Sequence, residues 1–258
     1  MTIRTRALAL PVGVLTRMVF ALPRPARDAV RNARYLLRRD TSQYGEQALL
    51  AAHLSPTGTY LEIGAYQPVV LSNTWSLRRR GWRGWSIDAE GAYALQWKLF
   101  RRGDTFIHAA VLPAGGRTSA TLFHDTSRVG NTSSLLGEHV EEWATSAGSE
   151  VTAQTVPAIA ITELFDRFRD RFGHGPHLLH LDCEGLDVEL LDAILAGVPP
   201  QSWPQHVLVE DLAGDLVAKR VAGSYAEVGR AGDSVLLRRT GNGQRVSAAG
   251  DAEPGRPC

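Results

Sequence analysis

The sequence of 258 residues has only two cysteines, Cys183 and Cys258, which supply neither a disulfide framework nor the spacing of a metal site. It has no apolar run near 18 residues, so no transmembrane helix is indicated. A hydrophobic fraction of 44% with a charged fraction of 21% excludes an extensively disordered chain. These absences leave a globular protein of ordinary size, long enough to bury a core without cross-links.

Charge is distributed unevenly along the chain. Residues 1–40 carry nine arginines and two aspartates, a net charge of +7, whereas residues 41–258 carry a net charge of −6. The acidic body argues against a main domain that binds nucleic acid. The basic segment is a poor signal peptide, because Arg17 and two prolines interrupt it and no small-residue cleavage site follows. We expect a cytoplasmic protein whose arm is either flexible or lies on an anionic membrane surface.

Short apolar runs typical of strands alternate with helical patterns through most of the chain. This alternation predicts an α/β fold with a doubly wound, mostly parallel sheet. Residues 224–239 are typical of two strands joined at Ala231-Gly232-Asp233, a C-terminal antiparallel hairpin. We therefore predict a basic arm over residues 1–40, one domain over residues 41–240 and a disordered tail over residues 241–258.

Several local patterns carry predictions of their own. Thr41 or Ser42 is expected to cap the first helix of the domain, and residues 215–224 are expected to form a helix. The pattern predicts one strand over residues 105–112 and a loop over residues 125–134. Trp82 and Trp85 of "GWRGW" are expected in the core, although stacking on a sugar is the alternative.

The stretch "GTYLEIGAYQPVVLSNT", residues 58–74, resembles the first strand and turn of a dinucleotide site but lacks its second and third glycines. Pyrophosphate requires those glycines, because the backbone and a helix N-terminus must approach it closely. S-adenosylmethionine has no phosphate, so Gly64 alone suffices. Glu62, which ends the first strand, can lie near the ligand's ammonium group, and Asp88, which ends the second, can accept both ribose hydroxyls. The structural alternative is that Glu62 caps the following helix and Asp88 is a loop acid.

The motifs "SQYGEQ", "LEIGAYQP", "SNT", "GWRGWSIDAE", "NTSSLL" and "HLDCEGLDVELL" occur in an order that resembles the FkbM-type methyltransferases, which depend on S-adenosylmethionine. The resemblance spans about residues 42–240 and implies a class I methyltransferase-like (Rossmann-like) fold. It also implies a cofactor site that consists of Glu62, Gly64, Ala65, Asn73, Asp88 and His108, with Asp88 on the ribose and His108 near the adenine. The alternatives are that Asn73 buttresses the turn and that His108 is a surface or core histidine. The sequence departs from the family pattern where Glu62 replaces the more usual Asp, Asp88-Ala89 replaces Glu-Pro, and Leu181 and Cys183 replace β-branched or aliphatic residues.

Transfer of a methyl group to a hydroxyl requires an in-line arrangement of the reacting atoms and a base for the hydroxyl proton. Asp182 and Glu184 in "HLDCEG" are the candidates for that base, because closely spaced carboxylates raise one another's pKa. Their structural alternative is to hold the loop and the next helix, and His180 and His124 are further candidates. We assign no metal ligands, although Asp182, Glu184, Glu210 and Asp211 leave a divalent ion as an alternative.

The resulting hypothesis is an O-methyltransferase that acts on a hydroxyl of a sugar, glycolipid or secondary metabolite, with acceptor classes that come from the resemblance alone. The expected partners are a small-molecule or glycan acceptor and no nucleic acid. One alternative is an NAD(P)-dependent oxidoreductase on a Rossmann-like sheet, which the missing glycines disfavour. The other is a non-catalytic module that retains the fold.

Overall fold

The structure is a computed structural model, and it describes residues 23–126, 133–211 and 219–241. A seven-stranded sheet forms the centre of the domain, in the order β10-β11-β9-β8-β1-β2-β3. Its strands are β1 (Thr59–Ile63), β2 (Arg83–Asp88), β3 (Thr105–His108), β8 (Leu178–Leu181), β9 (His206–Glu210), β10 (Tyr225–Ala231) and β11 (Ser234–Arg239).

The five strands from β3 to β9 are parallel, whereas β11 runs antiparallel to both β9 and β10. The predicted doubly wound, mostly parallel sheet with a C-terminal hairpin is therefore confirmed. The strand order reverses between β1 and β8, since the chain builds outward from β1 to β3 and then returns to the other side of β1. Ligands of such sheets bind at the carboxyl ends of the strands at this reversal.

Helices cover both faces of the sheet among the described residues. They are α1 (Arg24–Tyr35), α2 (Glu46–His53), α3 (Trp75–Arg79), α4 (Ala94–Phe100), α5 (Gly137–Ala147), α6 (Ile161–Phe172) and α7 (Asp187–Gly197). Alternate β1 side chains serve opposite faces: Leu61 packs into the core under α6 and α7, and Tyr60 into the core under α2 and α3. Trp82 is buried and Trp85 packs edge-on against Phe168, so both tryptophans belong to the core.

A second, four-stranded sheet lies between β3 and β8 in the sequence and was not predicted. It has the order β4-β7-β5-β6, with β4 (Ala110–Leu112), β5 (Ser119–Asp125), β6 (Ser133–Ser134) and β7 (Val151–Ala160). The prediction of one strand over residues 105–112 was wrong. The chain leaves the main sheet at Ala109, whose N–H donates to the Asp88 carbonyl, and then pairs with β7. The predicted loop 125–134 was wrong at both ends, because Asp125 ends β5 and residues 133–134 form β6.

Neither Thr41 nor Ser42 is the N-cap residue of α2, although the Ser42 hydroxyl accepts from the N–H of Gln47 in the first turn at 3.4 Å. The helix begins at Glu46 behind Gly45, which has a left-handed conformation and no capping side chain. Thr41 is buried instead, where its hydroxyl donates to the Ser72 carbonyl and accepts from the Gln47 amide. Of the predicted helix over residues 215–224, residues 215–218 lie outside the described residues, residues 219–220 are helical, and residues 221–224 are not helical, so the predicted end of the helix was wrong. The predicted tail is described only at Gly241.

Part of the predicted basic arm forms α1, which contacts the domain through Asn32. The side-chain oxygen of Asn32 accepts from the N–H groups of Val69 and Val70, and its side-chain nitrogen donates to Gln67 at 3.0 Å. The Asn32 side chain is fully buried in this contact. Residues 24–35 therefore form a helix hydrogen-bonded to the segment that follows β1.

Candidate active site

A cleft of about 1290 Å³, open solvent at its mouth included, lies at the carboxyl ends of β1, β2 and β8. The small sheet contributes one wall through residues 109–111 and 133–135. Of the residues predicted for the site, the cleft is lined by Glu62, Gly64, Ala65, Asn73, Asp88, Asp182 and Glu184. The cleft therefore lies where we expected it, at the edge of the sheet where the carboxyl ends of the strands meet.

Gly64 is required by the protein itself. It has a φ of +81°, and a Cβ at this position would lie 1.7 Å from the backbone oxygen of Asp182. The adjacent turn is held by N–H groups of Gly64 and Ala65, which both donate to the Ile87 carbonyl at 3.0 and 3.1 Å. The single glycine of the motif thus lets the end of β1 pass closely beside the end of β8, a reason that its spacing alone does not reveal.

Asp88 is held in a fixed orientation by backbone donors. Its Oδ2 accepts from the Tyr66 N–H at 2.7 Å and its Oδ1 accepts from the Glu90 N–H at 2.6 Å. Burial raises the pKa of the Asp88 carboxyl to about 6, against the effect of these two hydrogen bonds, which favour the charged form. Each oxygen keeps a second lone pair that can accept a hydrogen bond from the cleft.

Glu62 lies at the back of the cleft with only 1% of its surface exposed. Its Oε2 accepts from Thr74 at 2.9 Å and from Ser86 at 2.7 Å, and its Oε1 lies 3.5 Å from His180 Nδ1. Burial alone would raise the pKa of this carboxyl, but the His180 interaction and the Arg101 charge hold it below its ordinary value. Its carboxylate is thus engaged by protein groups, and a contact with a ligand's ammonium group stays a prediction.

Asn73 places a polar atom without a protein partner at the wall of the cleft. Its Nδ2 lies 3.1 Å from His180 Nε2, and its buried Oδ1 has no hydrogen-bond partner within the described parts of the chain. Amide oxygen and nitrogen have nearly the same shape, and the two ends are assigned from their partners. Whichever end faces His180, the other end is available to a ligand.

Asp182 and Glu184 follow β8 and face the cleft from the side opposite Asp88. Burial, reinforced by the charges of Asp187 and Glu210 and partly opposed by His180, raises the pKa of Asp182 to about 7. Burial and the Asp182 charge raise the pKa of Glu184 to about 8. Two carboxyl groups that titrate near neutrality in one cleft are typical of proton-transfer sites.

The predicted histidines have different environments. His108 is exposed at the end of β3, where its Nε2 lies 3.0 Å from the Ala89 carbonyl, and its side chain is not part of the cleft lining. Its role near the adenine stays a prediction. His124 does not line the cleft itself, but it lies 2.8 Å from the Ser133 hydroxyl and 3.5 Å from Glu90, which both do. His180, by contrast, is buried in the cleft wall between Glu62 and Asn73.

The acids considered for a metal do not form one site. Asp211 is paired with Arg230 at 3.1 Å and is absent from the cleft lining. In residues 23–126, 133–211 and 219–241, no group of three His, Cys, Asp or Glu side chains is arranged to hold a metal ion. Within the same residues, no helix is long and apolar enough to cross a bilayer.

Sequence reasoning missed Arg101, whose guanidinium is fully buried behind the cleft. It donates to Asp104 at 2.8 Å, to the Pro68 carbonyl at 3.0 Å and to Thr74 at 2.9 Å. Because Thr74 in turn donates to Glu62, one buried network connects Arg101, Thr74, Glu62, His180 and Asn73 to the cleft. Nothing in the local pattern around Arg101 signals its burial.

The cleft has a lining rich in acidic residues. Seven carboxyl side chains face it, and neither lysine nor arginine is found among the described residues of its wall; the acids are Glu46, Glu62, Asp88, Glu90, Asp182, Glu184 and Glu210. His180 is the one basic side chain among these lining residues. Such a field favours a cationic or neutral ligand over an anionic one.

The strand order, with its single antiparallel strand β11 between β10 and β9, and the cleft at the strand reversal define a doubly wound, mostly parallel α/β fold of the Rossmann-like kind that the sequence predicted. No protein-family model matches the chain, and no curated protein matches it. Among solved structures it is similar to methyltransferase FkbM from Methylobacillus flagellatus KT, with 10% identity and a TM-score of 0.43. That match covers 88% of this chain and 58% of the other, which is less than two thirds of its length.

A second similar structure is a candidate O-methyltransferase from Klebsiella pneumoniae, with 12% identity and a TM-score of 0.35. It is matched over 96% of its own chain and 88% of this one. An FkbM methyltransferase is thus among the structures that this chain resembles, as the motifs led us to expect. At these scores the neighbours carry no argument about ligand or substrate, which must come from the side chains.

Proposed function

We propose that the protein is an S-adenosylmethionine-dependent methyltransferase that acts on a hydroxyl group. The observation that carries the proposal is the cleft at the strand reversal, which has seven carboxyl groups and no described lysine or arginine in its lining. S-adenosylmethionine carries a sulfonium and an ammonium cation, and its ribose offers two hydroxyl donors. An acidic wall with free acceptor lone pairs on Asp88 fits those groups.

The same features disfavour a dinucleotide. A pyrophosphate would face the carboxylates without a neutralising cation from the described wall. It would also lack a helix N-terminus at the turn, because β1 ends at Ile63 and α3, which has five residues, begins only at Trp75. The oxidoreductase alternative therefore has neither of the devices that hold phosphates.

The side chain of Asn73 is suited to bind the amino-acid end of S-adenosylmethionine. Its amide has one end directed at His180 and the other unpartnered at the cleft wall. With its oxygen toward a protonated His180, the free NH₂ would donate to the ligand's carboxylate. The His180 interaction with Glu62 raises the pKa of His180 against the effect of burial, which favours that arrangement.

Bound S-adenosylmethionine would supply the activated methyl group. Asp182 would accept the proton of the acceptor hydroxyl as that oxygen becomes the nucleophile, and Glu184 lies beside it as the second proton acceptor. Asp88 would orient the donor through its ribose, held by the two backbone N–H groups. The acidic wall disfavours phosphorylated or carboxylated acceptors, and a sugar, glycolipid or secondary metabolite is the class that the sequence resemblance suggests.

Titration calorimetry with S-adenosylmethionine, S-adenosylhomocysteine and NAD tests the proposal directly. We expect binding of the two adenosyl-sulfur ligands and no binding of NAD. Replacing Asp88 by Ala removes a charged acceptor, which is worth about 1.5–3 kcal/mol, so the affinity should fall roughly tenfold to a hundredfold. Asp88→Asn, which keeps one carbonyl acceptor for the backbone, controls for loss of the turn. NAD binding without the sulfur ligands, or an unchanged affinity in the Asp88→Ala variant, would contradict the proposal.

The base is tested by the pH dependence of methyl transfer. Because the pKa of Asp182 is raised to about 7, the proton-accepting carboxylate becomes more abundant as the pH rises from about 6 to about 8. Turnover of the natural chain should therefore increase over this interval. Asp182→Asn should bind the donor normally, turn over about a hundredfold or more slowly and lose this part of the pH profile. A variant with unaltered turnover would assign Asp182 to a structural role.

A non-catalytic module would bind the donor without transferring its methyl group. Mass spectrometry of metabolite extracts from cells with and without the protein separates this alternative from the enzyme, because each transferred methyl group adds about 14 daltons. The Asp182→Asn variant is the matched control in the same cells, since it is expected to retain both the fold and the donor site.

A further inference from the structure

A basic surface on α1 lies outside the cleft and has no part in the proposed reaction. Arg27, Arg31 and Arg34 are spaced at i, i+4 and i+7, so they lie on one face of the helix. Arg38 and Arg39 follow directly after its end, and Arg38 covers the Tyr35 ring at 4.0 Å. We use the name basic face for these five arginines.

The basic face is free of neutralising acids. Four of the five arginines are exposed, and none of the five pairs with a carboxylate in the described parts of the chain. The nearby Asp40 is engaged by the Ser42 N–H at 2.8 Å. Some other surface arginines, such as Arg167 and Arg169, are paired with acids on their own helix, whereas Arg79, Arg80 and Arg117 are exposed and without an ion pair in the described residues. Five arginines so close together and without a carboxylate partner point to an anionic binding partner.

Exposed leucines adjoin the basic face. Leu36 is 40% exposed and Leu37 is 90% exposed, directly before Arg38 and Arg39. Ala33, also exposed, lies one turn before Leu37. Leu36 and Leu37 follow the end of α1, so the arginines lie beside a short exposed apolar segment. Basic residues beside exposed apolar side chains are typical of segments that lie in the interface of a bilayer, with the charges at the headgroups and the apolar groups inserted.

Nucleic acid would be the other polyanion for such a surface, and the observations favour it less. The net charge of −6 on residues 41–258 repels both polyanions and does not distinguish them. A nucleic acid, however, makes no use of an almost fully exposed leucine. A bilayer accepts both the arginines and Leu37.

We infer that the basic face and Leu37 form a docking surface for anionic lipid bilayers. Asn32 belongs to the same helix and bonds the segment 67–70, which lies between Tyr66 and Leu71 of the cleft wall. One helix, α1, would thus contact both the bilayer and the segment 67–70 next to the cleft wall. The inference does not depend on the proposed methyl transfer.

Co-sedimentation of the full chain with vesicles tests this surface. We expect binding when about a third of the lipid is phosphatidylserine and little binding to phosphatidylcholine alone. Each arginine near an anionic surface contributes about a fivefold change in partitioning, so replacement of Arg31, Arg34 and Arg38 by Gln should weaken binding about a hundredfold. Leu37→Ser, added to that variant, should weaken vesicle binding further, although it leaves the net charge unchanged.

The matched control replaces three exposed arginines elsewhere, Arg79, Arg80 and Arg117, by Gln, which changes the net charge equally. It should leave vesicle binding within about twofold. All variants should keep their circular dichroism, since the replaced side chains are exposed. An ionic strength of about 1 M, where the screening length is about 3 Å, should release the natural chain. Equal binding by the two triple variants, equal binding to both vesicle types, or tighter binding to duplex DNA than to vesicles would each overturn the inference.

Discussion

Gly64→Ala is expected to destabilise the protein by about 3 kcal/mol or more, a large part of the stability of an ordinary domain. Two separate causes add at this position. The backbone has a φ of +81°, in the left-handed region that costs a residue with a Cβ about 1–2 kcal/mol. The new Cβ would also lie 1.7 Å from the Asp182 oxygen, so the ends of β1 and β8 would have to separate. Urea denaturation followed by circular dichroism measures the loss.

Gly116→Ala is the matched control for the conformational part. Gly116 has a φ of +94° and no atom within 4 Å of its missing Cβ, so its replacement should cost only about 1–2 kcal/mol. The difference between the two variants isolates the close contact with Asp182. Because Asp182 belongs to the cleft, any Gly64→Ala protein that still folds should also bind the donor more weakly. Equal losses for Gly64→Ala and Gly116→Ala would show that β1 and β8 tolerate separation.

The sequence predicted the parts of the site that depend on strand ends. Short apolar runs identify β1, β2 and β8, and in a parallel sheet their carboxyl ends meet at one edge. Glu62, Asp88 and Asp182 therefore could be assigned to one cleft without knowledge of any contact. The C-terminal hairpin was predictable for a similar reason, because its turn residues and its two apolar runs are local signals.

Features that depend on long-range packing could not be predicted in the same way. The small sheet pairs β4 with β7, strands separated by almost 40 residues, and β4 has only three residues. Its sequence continues the apolar pattern of β3, so nothing local marks the point where the chain changes sheets. His108 illustrates the consequence, because it ends β3 instead of lying inside a longer strand, and its side chain turns to the Ala89 carbonyl.

The buried network behind the cleft was equally inaccessible to local reasoning. Arg101 and Arg102 are adjacent and chemically identical, yet Arg101 is 1% exposed and Arg102 is exposed. Their difference arises from acceptors that come from β1, from the segment after it and from the loop after α4. Glu62 shows the same limit, because its position was predicted, whereas the donors that occupy its carboxylate could not be.

Arg101→Met is expected to destabilise the protein by about 3–5 kcal/mol, the usual consequence of removing one partner from a buried ionic network. The variant would leave Glu62 and Asp104 in the interior without their shared cation. It would also leave the Pro68 carbonyl and the Thr74 hydroxyl without their guanidinium donor. Methionine has a similar length, so the loss would reflect charge and hydrogen bonding rather than a cavity. Urea denaturation again provides the measurement.

Arg78→Met is the control, since Arg78 approaches the same Asp104 at 3.4 Å but is 22% exposed. Removal of Arg78 leaves Asp104 paired with Arg101 at 2.8 Å, so the control should lose less than Arg101→Met, about 1–2 kcal/mol. The comparison also bears on the cleft. Tyr66 and Leu71 line it with φ values of 45° and 57°, conformations that persist only when the surroundings hold them. Arg101 holds the intervening Pro68 carbonyl, so Arg101→Met should lower donor affinity even where the variant is still folded, whereas Arg78→Met should not. Equal stability losses in the two variants would mean that Arg101 is a peripheral ion pair, and the cleft wall would then need another support.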